Sequence, residues 1–315
     1  MHTIFPVLAR LPTVFVVVLI VATAGAFART ELLKLETNPV SGPRVDKQFS
    51  PVCHCPTDRA HISFRLRHAD HVSLSIVDTK GHTVEKLVSN RKLRAGRVTF
   101  VWNGRDDDGT VVPEGSYRPK LELARHHRTI VLPNPIRVDT TPPAVRIVSA
   151  KPLVISPDGD GRADGVRIAY TVSEPARAIL LVDGKQRVHT LHRPLHGEVS
   201  WFGFIGGHAL PPGVHRLQLV VVDEAGNKTF AKPTLRVRIR YITLLRTLIH
   251  VPTNTRFGVR YNADARTVHW RFAGRTGTAH EGRIVLTSPK HRGTFALVAS
   301  EHGHAVRTYV YVGRR

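Results

Sequence analysis

From residue 60 onward, apolar and polar positions alternate along the chain. Ile62, Phe64 and Leu66 are separated by polar residues, and Val72, Leu74 and Ile76 repeat the pattern. A period of two turns one face inward and the other to solvent, so these runs predict half-buried antiparallel strands. Turn-forming residues punctuate them at 78–81, 106–109, Asp183-Gly184 and Gly206-Gly207. Short strands at this spacing predict a β-sandwich. One stretch breaks the rule: residues 11–28 carry no charge, read VFVVVLIVATAGAFA at their centre and lie between Arg10 and Arg29. That is the pattern of a hydrophobic export helix. It fits a cleaved signal peptide, with Ala26-Phe27-Ala28 as the small-x-small site, and equally a signal anchor, for which about 18 apolar residues suffice.

The alternating body repeats itself. Ser50-Pro51 aligns with Ser156-Pro157, Phe64 with Tyr170, Val77-Asp78 with Val182-Asp183 and Trp102 with Trp201. Downstream, Pro113 and Gly115 answer Pro211 and Gly213. Small loop deletions account for the drifting offset, and the two tryptophans read as core anchors. Between the copies, Pro142-Pro143 rules out a continuous central strand and marks the handover from one module to the next.

The first copy carries a specific set of residues: Val77-Asp78, Gly81, Trp102-Asn103-Gly104-Arg105-Asp106, Gly109, Val112-Pro113, Gly115 and Tyr117. This set resembles the immunoglobulin-like domain of FlgD-type flagellar hook-capping proteins over residues 49–125. The resemblance implies a module reused in exported bacterial proteins rather than a flagellar role, because no region resembles the hook-assembly segment, and fold does not dictate function. The second copy departs from the pattern: Phe202 and Phe204 replace Asn103 and Arg105, and His215 stands near the Tyr117 position.

After Tyr241, short alternating runs return as FGVRY, VHWRF, GRIVLTS, GTFALVAS and AVRTYVYVG. The expected fold is all-β, with tandem immunoglobulin-like β-sandwich modules after an N-terminal hydrophobic helix. The expected divisions are a signal peptide or signal anchor at 1–28, a tether at 29–48, a FlgD-type domain at 49–139, a diverged second domain at 140–240 and a small β-rich module at 241–315.

Composition adds a partner class. Across 315 residues, 46 Lys+Arg against 24 Asp+Glu give a net charge of +22, with 19 His beside them. Such a surface draws anionic wall polymers, lipid headgroups or nucleic acid by the same field, and equally serves solubility alone. The expected partners are an anionic cell-wall polymer or an envelope protein, and the membrane if the N-terminal segment is retained; no specific nucleic acid is expected. The location expected is extracytoplasmic, anchored or secreted.

Candidate chemistry is sparse. The loop SPDGDGRAD places Asp158, Asp160 and Asp164 among glycines, a spacing that suits calcium, although it lacks the full EF-hand length and its distal Glu. A solvated turn explains the same residues. Asp106, Asp107 and Asp108 read as a turn, and His126-His127 with His189, His192 and His196 as surface histidines. Cys53 and Cys55 flank His54, which leaves a small disulfide ring or a metal pair open. Nucleophile-elbow, zinc-protease and phosphate-loop patterns do not occur. The reading is a non-enzymatic, exported or membrane-anchored envelope protein with no catalytic residues. The alternatives are an accessory protein to a separate exported enzyme and an unrecognised envelope hydrolase.

Overall fold

The computed structural model describes residues 10–35 and 38–313, and within the N-terminal helix the side chains of residues 15–28. That helix, Arg10–Leu35, keeps Pro12 in its first turn, where no intrahelical donor is lost. Its described side chains are all exposed. Among the described residues no helix is long and apolar enough to cross a membrane. The rest is strand and turn, and it divides into two compact units: residues 1–48 with 59–138, and residues 49–58 with 139–315.

In the first unit, Ala60–Leu66 lies between Val40–Val45 and Gly96–Trp102 in a three-stranded antiparallel sheet. A second sheet carries Ile136–Val138, Gly115–Leu123, Asp70–Val77 and Thr83–Leu93 in that order, with Arg128–Val131 also on Gly115–Leu123. The period-two pattern dictates what lies within: Ile62, Phe64, Val72, Leu74, Ile76, Trp102 and Leu121 are fully buried. Each such side chain contributes roughly 1.5–3 kcal/mol of transfer free energy. The strand Val40–Val45 lies inside the stretch expected as a tether. Its Gly42 and Pro43 fall where the register shifts between Ser41 and Arg44, so residues that suggest a linker sit in a β-bulge of a paired strand.

The second unit contains the same arrangement twice. First, Val166–Val172 lies between Val145–Lys151 and His196–Trp201. Facing it are Val154–Ile155, Leu235–Ile239, Gly213–Val222, Arg177–Val182 and Lys185–His189, in that order. Then Arg256–Asn262 lies between Thr243–Leu244 and Arg283–Thr287. Its companion sheet carries Leu248–Val251, His304–Val312, Gly293–Glu301, Val268–Phe272 and Arg275–Ala279. In both, the short leading strand pairs parallel to the last strand, and every other pairing in these sheets is antiparallel. The chain is therefore a tandem of immunoglobulin-like sandwiches, and the third module repeats the strand order of the first two.

One lock recurs in the first two modules. Trp102 Nε1 donates to the carbonyl of Arg105 at 3.0 Å, and Trp201 Nε1 donates to that of Phe204 at 3.3 Å, both three residues on. Tyr117 meets the Trp102 ring edge-on at 5.2 Å, and His215 meets Trp201 in the same way at 5.9 Å. The Tyr117 hydroxyl donates to Pro113 O at 2.7 Å. His215 cannot copy that bond and instead pairs with Asp183 at 2.8 Å. In the third module Phe295 takes the place two residues after Gly293 and packs on Phe272.

Candidate cation site

The loop that follows Val154–Ile155 is ordered by its own amides. Asp164 accepts from the backbone N–H of Gly159 and of Gly161, one on each oxygen at 2.8 Å. Asp160 accepts from Arg162 N at 2.7 Å, and Asp158 Oδ1 accepts from Asp160 N at 3.3 Å. Gly159 and Gly161 adopt positive φ, which the tight winding requires. Asp158, Asp160 and Asp164 thus converge, each offering an oxygen within 4.8 Å of the others.

Asp158 belongs to a second trio as well. Its carboxylate, that of Asp264 and that of Glu301 also offer oxygens within 4.8 Å of one another. Asp264 follows the strand Arg256–Asn262, and Glu301 closes Gly293–Glu301 at the hairpin that leads into His304–Val312. The third module therefore brings two acids to the loop of the second. Arg162 of the loop reaches the same segment, donating from Nη1 to the backbone carbonyl of Asp264 at 3.2 Å, and Tyr241 stacks on His304 at 3.6 Å.

The electrostatics of this trio are unfavourable as they stand. Glu301 is 2% exposed, and neither its oxygens nor those of Asp264 have a hydrogen-bond partner of ordinary geometry. Burial, then the charges of Asp264 and Asp158, push the Glu301 carboxyl up to about 7, outweighing the lowering by His302 and the Ile242 amide. Asp264 is raised by the same causes, burial first and then Asp158. At such separations two carboxylates repel by about 3–4 kcal/mol per pair at an effective dielectric near 20. In a chain of net charge +22, one buried and two half-buried acids gathered at one point demand an explanation.

A third trio, Asp139, Glu174 and Asp223, is of a different kind. Asp223 accepts from the amides of Gly226 and Asn227 and from Asn227 Nδ2, at 2.6–2.9 Å. Asp139 and Glu174 are engaged too. These acids tie a turn together.

Several sequence-level candidates resolve into structural roles. Cys53 and Cys55 form a disulfide, so neither offers a thiolate to a metal. Their loop packs in the second unit, where Thr57 donates to Ala225 O at 2.7 Å and the sulfur of Cys55 occupies the space a side chain on Gly226 would need. Asp106 caps its own turn, accepting from Asp108 N and Thr110 N, while Asp107 accepts from Lys86 N. Arg105 Nη1 donates to Gly109 O at 2.6 Å, so the W-N-G-R-D-x-x-G residues bond to one another across a hairpin end. His126 pairs with buried Asp70 at 2.8 Å. Sequence reasoning singled out Asp158, Asp160 and Asp164 and did not single out Asp264 or Glu301, which the fold brings to Asp158. A usable signal existed: after Tyr241 the acids are Asp264, Glu281 and Glu301 alone, and two of the three meet at one point.

Comparison with known proteins agrees with the first module. The basal-body rod modification protein FlgD of Salmonella typhimurium is 49% identical over 49 residues, 16% of this chain and 21% of that protein. The match thus spans about a fifth of the curated relative's length. Among solved structures, a titin I9–I11 tandem aligns over 87% of this chain and 100% of its own, at 11% identity and a TM-score of 0.32. FlgD from P. aeruginosa aligns over 37% of this chain and 84% of its own, at 21% identity and a TM-score of 0.23. Residues 57–126, which hold the Trp102 lock and the self-bonded hairpin end, match the family model of the FlgD Ig-like domain.

Proposed function

We propose that this chain is a non-enzymatic, extracytoplasmic envelope protein whose sandwiches present a basic surface to an anionic wall polymer. The observation that carries the reading is where the charge sits. Along the strands, inward positions hold the core while Arg236, Arg238, Arg256, Arg260, Arg283 and Arg307 occupy exposed positions. The period that builds the sandwich thereby lines its outside with guanidinium groups, whose planar forks suit phosphate and carboxylate. The uncharged run 11–28 supplies the route out of the cytoplasm, as a leader or an anchor. The FlgD Ig-like match over residues 57–126 supports a structural rather than catalytic body.

The test is retention of the chain from residue 29 onward on immobilised anionic wall polymer and on a neutral polysaccharide across a salt series. Selective retention, lost progressively as salt shortens the screening length, is expected. Equal retention on both matrices refutes the reading. Mass analysis of the mature N-terminus with cell fractionation distinguishes leader from anchor.

A further inference from the structure

We infer that Asp158, Asp264 and Glu301 form a calcium site shared between the second and third modules, in which one bound cation joins the loop of one sandwich to the hairpin end of the next.

Three observations converge on it. First, the donors are carboxylate oxygens from three separate segments, all within 4.8 Å of one another. Second, Glu301 is 2% exposed, Asp264 is half-buried, and the solvent-shielded oxygens of both lack a hydrogen-bond partner of ordinary geometry. Third, Asp164 holds the loop in shape through Gly159 and Gly161, and Asp158, which accepts long bonds of 3.3 and 3.4 Å from Asp160 N and Ser156 Oγ, lies within reach of the third module's two acids. Asp70, Asp183 and Asp223 differ on the second point, since each accepts bonds from nearby amides and side chains; one Glu85 oxygen is also without a partner but, among the described residues, has no second and third acid converging with it.

The donor chemistry selects the ion. An all-oxygen set with no thiolate or imidazole among the three suits a hard cation rather than zinc or copper. Carboxylates gathered from three separate segments, with no octahedral frame set by one loop, suit the larger and less exacting Ca²⁺ over octahedral Mg²⁺. The ion replaces mutual repulsion by shared attraction, and because Asp158 lies in one module and the other two in the next, it binds only when the modules are docked. Its binding free energy is therefore junction stability. This inference is independent of the anionic-polymer reading, and either can fail without the other.

The experiment uses the full chain, freed of divalent ions with a chelator and then titrated with CaCl₂ and, separately, MgCl₂, by calorimetry of binding and of melting. A dissociation constant for Ca²⁺ on the order of 10⁻⁴–10⁻³ M is expected, as in extracellular modules. The melting temperature of the second unit should rise with calcium while that of the first does not, and Mg²⁺ should act at least tenfold more weakly. Glu301→Gln and Asp264→Asn should each abolish the calcium shift. In chelator, Glu301→Gln should melt no lower than the parent chain, because it removes a buried unpaired charge. That result separates a ligand from a residue needed only for folding. No calcium heat and no shift, a shift that survives in both variants, or equal response to Mg²⁺ overturns the assignment.

Discussion

Replacing Trp102 by Phe tests whether the lock of the first module works as described. The indole ring is fully buried, its Nε1 donates to Arg105 O at 3.0 Å, and Tyr117 meets it edge-on at 5.2 Å. Phenylalanine keeps an aromatic ring against Tyr117 but removes the donor and part of the volume. Arg105 is itself exposed, so water can replace the lost donor and the missing bond costs about 0.5–1.5 kcal/mol. The cavity left by the smaller ring adds about 1 kcal/mol. For a module of this size each kcal/mol moves the melting temperature by about 4–8 °C, so a total of about 1.5–2.5 kcal/mol should lower the melting of the first unit by about 6–20 °C. Scanning calorimetry of the full chain reads this directly, because the units can melt as separate transitions. The matching change Trp201→Phe should cost less, since that indole bond is longer at 3.3 Å and the ring is 3% exposed. A drop of less than about 3 °C for Trp102→Phe, or a larger loss at Trp201, would refute the reasoning from bond length and burial.

Other outcomes are equally concrete. Asp70 is buried, and although burial pushes its carboxyl up, bonds from His126 and the amides of Arg125 and His71 win and hold it below 3.8. A carboxyl with a depressed folded-state pKa stabilises above its unfolded value and loses that contribution as pH falls through the folded one. The first unit should therefore weaken below about pH 4, and Asp70→Asn should cost roughly 1.5–3 kcal/mol near neutrality while flattening that acid limb in pH-dependent denaturation. Tyr117→Phe deletes only the 2.7 Å bond to Pro113 O and should cost about 1 kcal/mol in the same assay. Gly277→Ala places a methyl 2.5 Å from Cζ2 of Trp270; it should destabilise the third module by about 1–3 kcal/mol, visible as a shift in tryptophan emission at lower denaturant.

The two-residue period, the tryptophans and the double proline made the first two sandwiches legible, because each is a local signal. The strand order of the third module was less legible. It lacks a tryptophan at the end of Arg283–Thr287, where Trp102 and Trp201 stand in the others; Phe272 is its large buried ring, and half-buried Phe295 packs on it. A subtler thread does run through all three: Gly115 with Tyr117, Gly213 with His215, and Gly293 with Phe295. The strand Val40–Val45 was concealed by Gly42 and Pro43, since a bulge uses the same residues as a linker. Of the cation cluster only Asp158 was legible, as part of an Asp/Gly loop. Asp264 and Glu301 were not, because their role comes from the docking of separate modules, and periodicity carries no information about which loop ends meet.

The parallel pairings in the second unit set how it would bear tension. In each sandwich there the leading strand, Val154–Ile155 or Leu248–Val251, runs alongside the last, Leu235–Ile239 or His304–Val312, in the same direction. Each module's first strand, Val145–Lys151 or Thr243–Leu244, pairs in the opposite sheet; behind it, the chain enters this patch at the start of one strand and leaves at the far end of its neighbour. A pull on the ends therefore slides the two strands past each other and loads their ladder bonds together, lengthwise, instead of opening them one at a time. The patch in the third module, with four residue pairs from Leu248↔Tyr309 to Val251↔Val312, is twice as long as the two pairs in the second. By this measure the second sandwich would yield first.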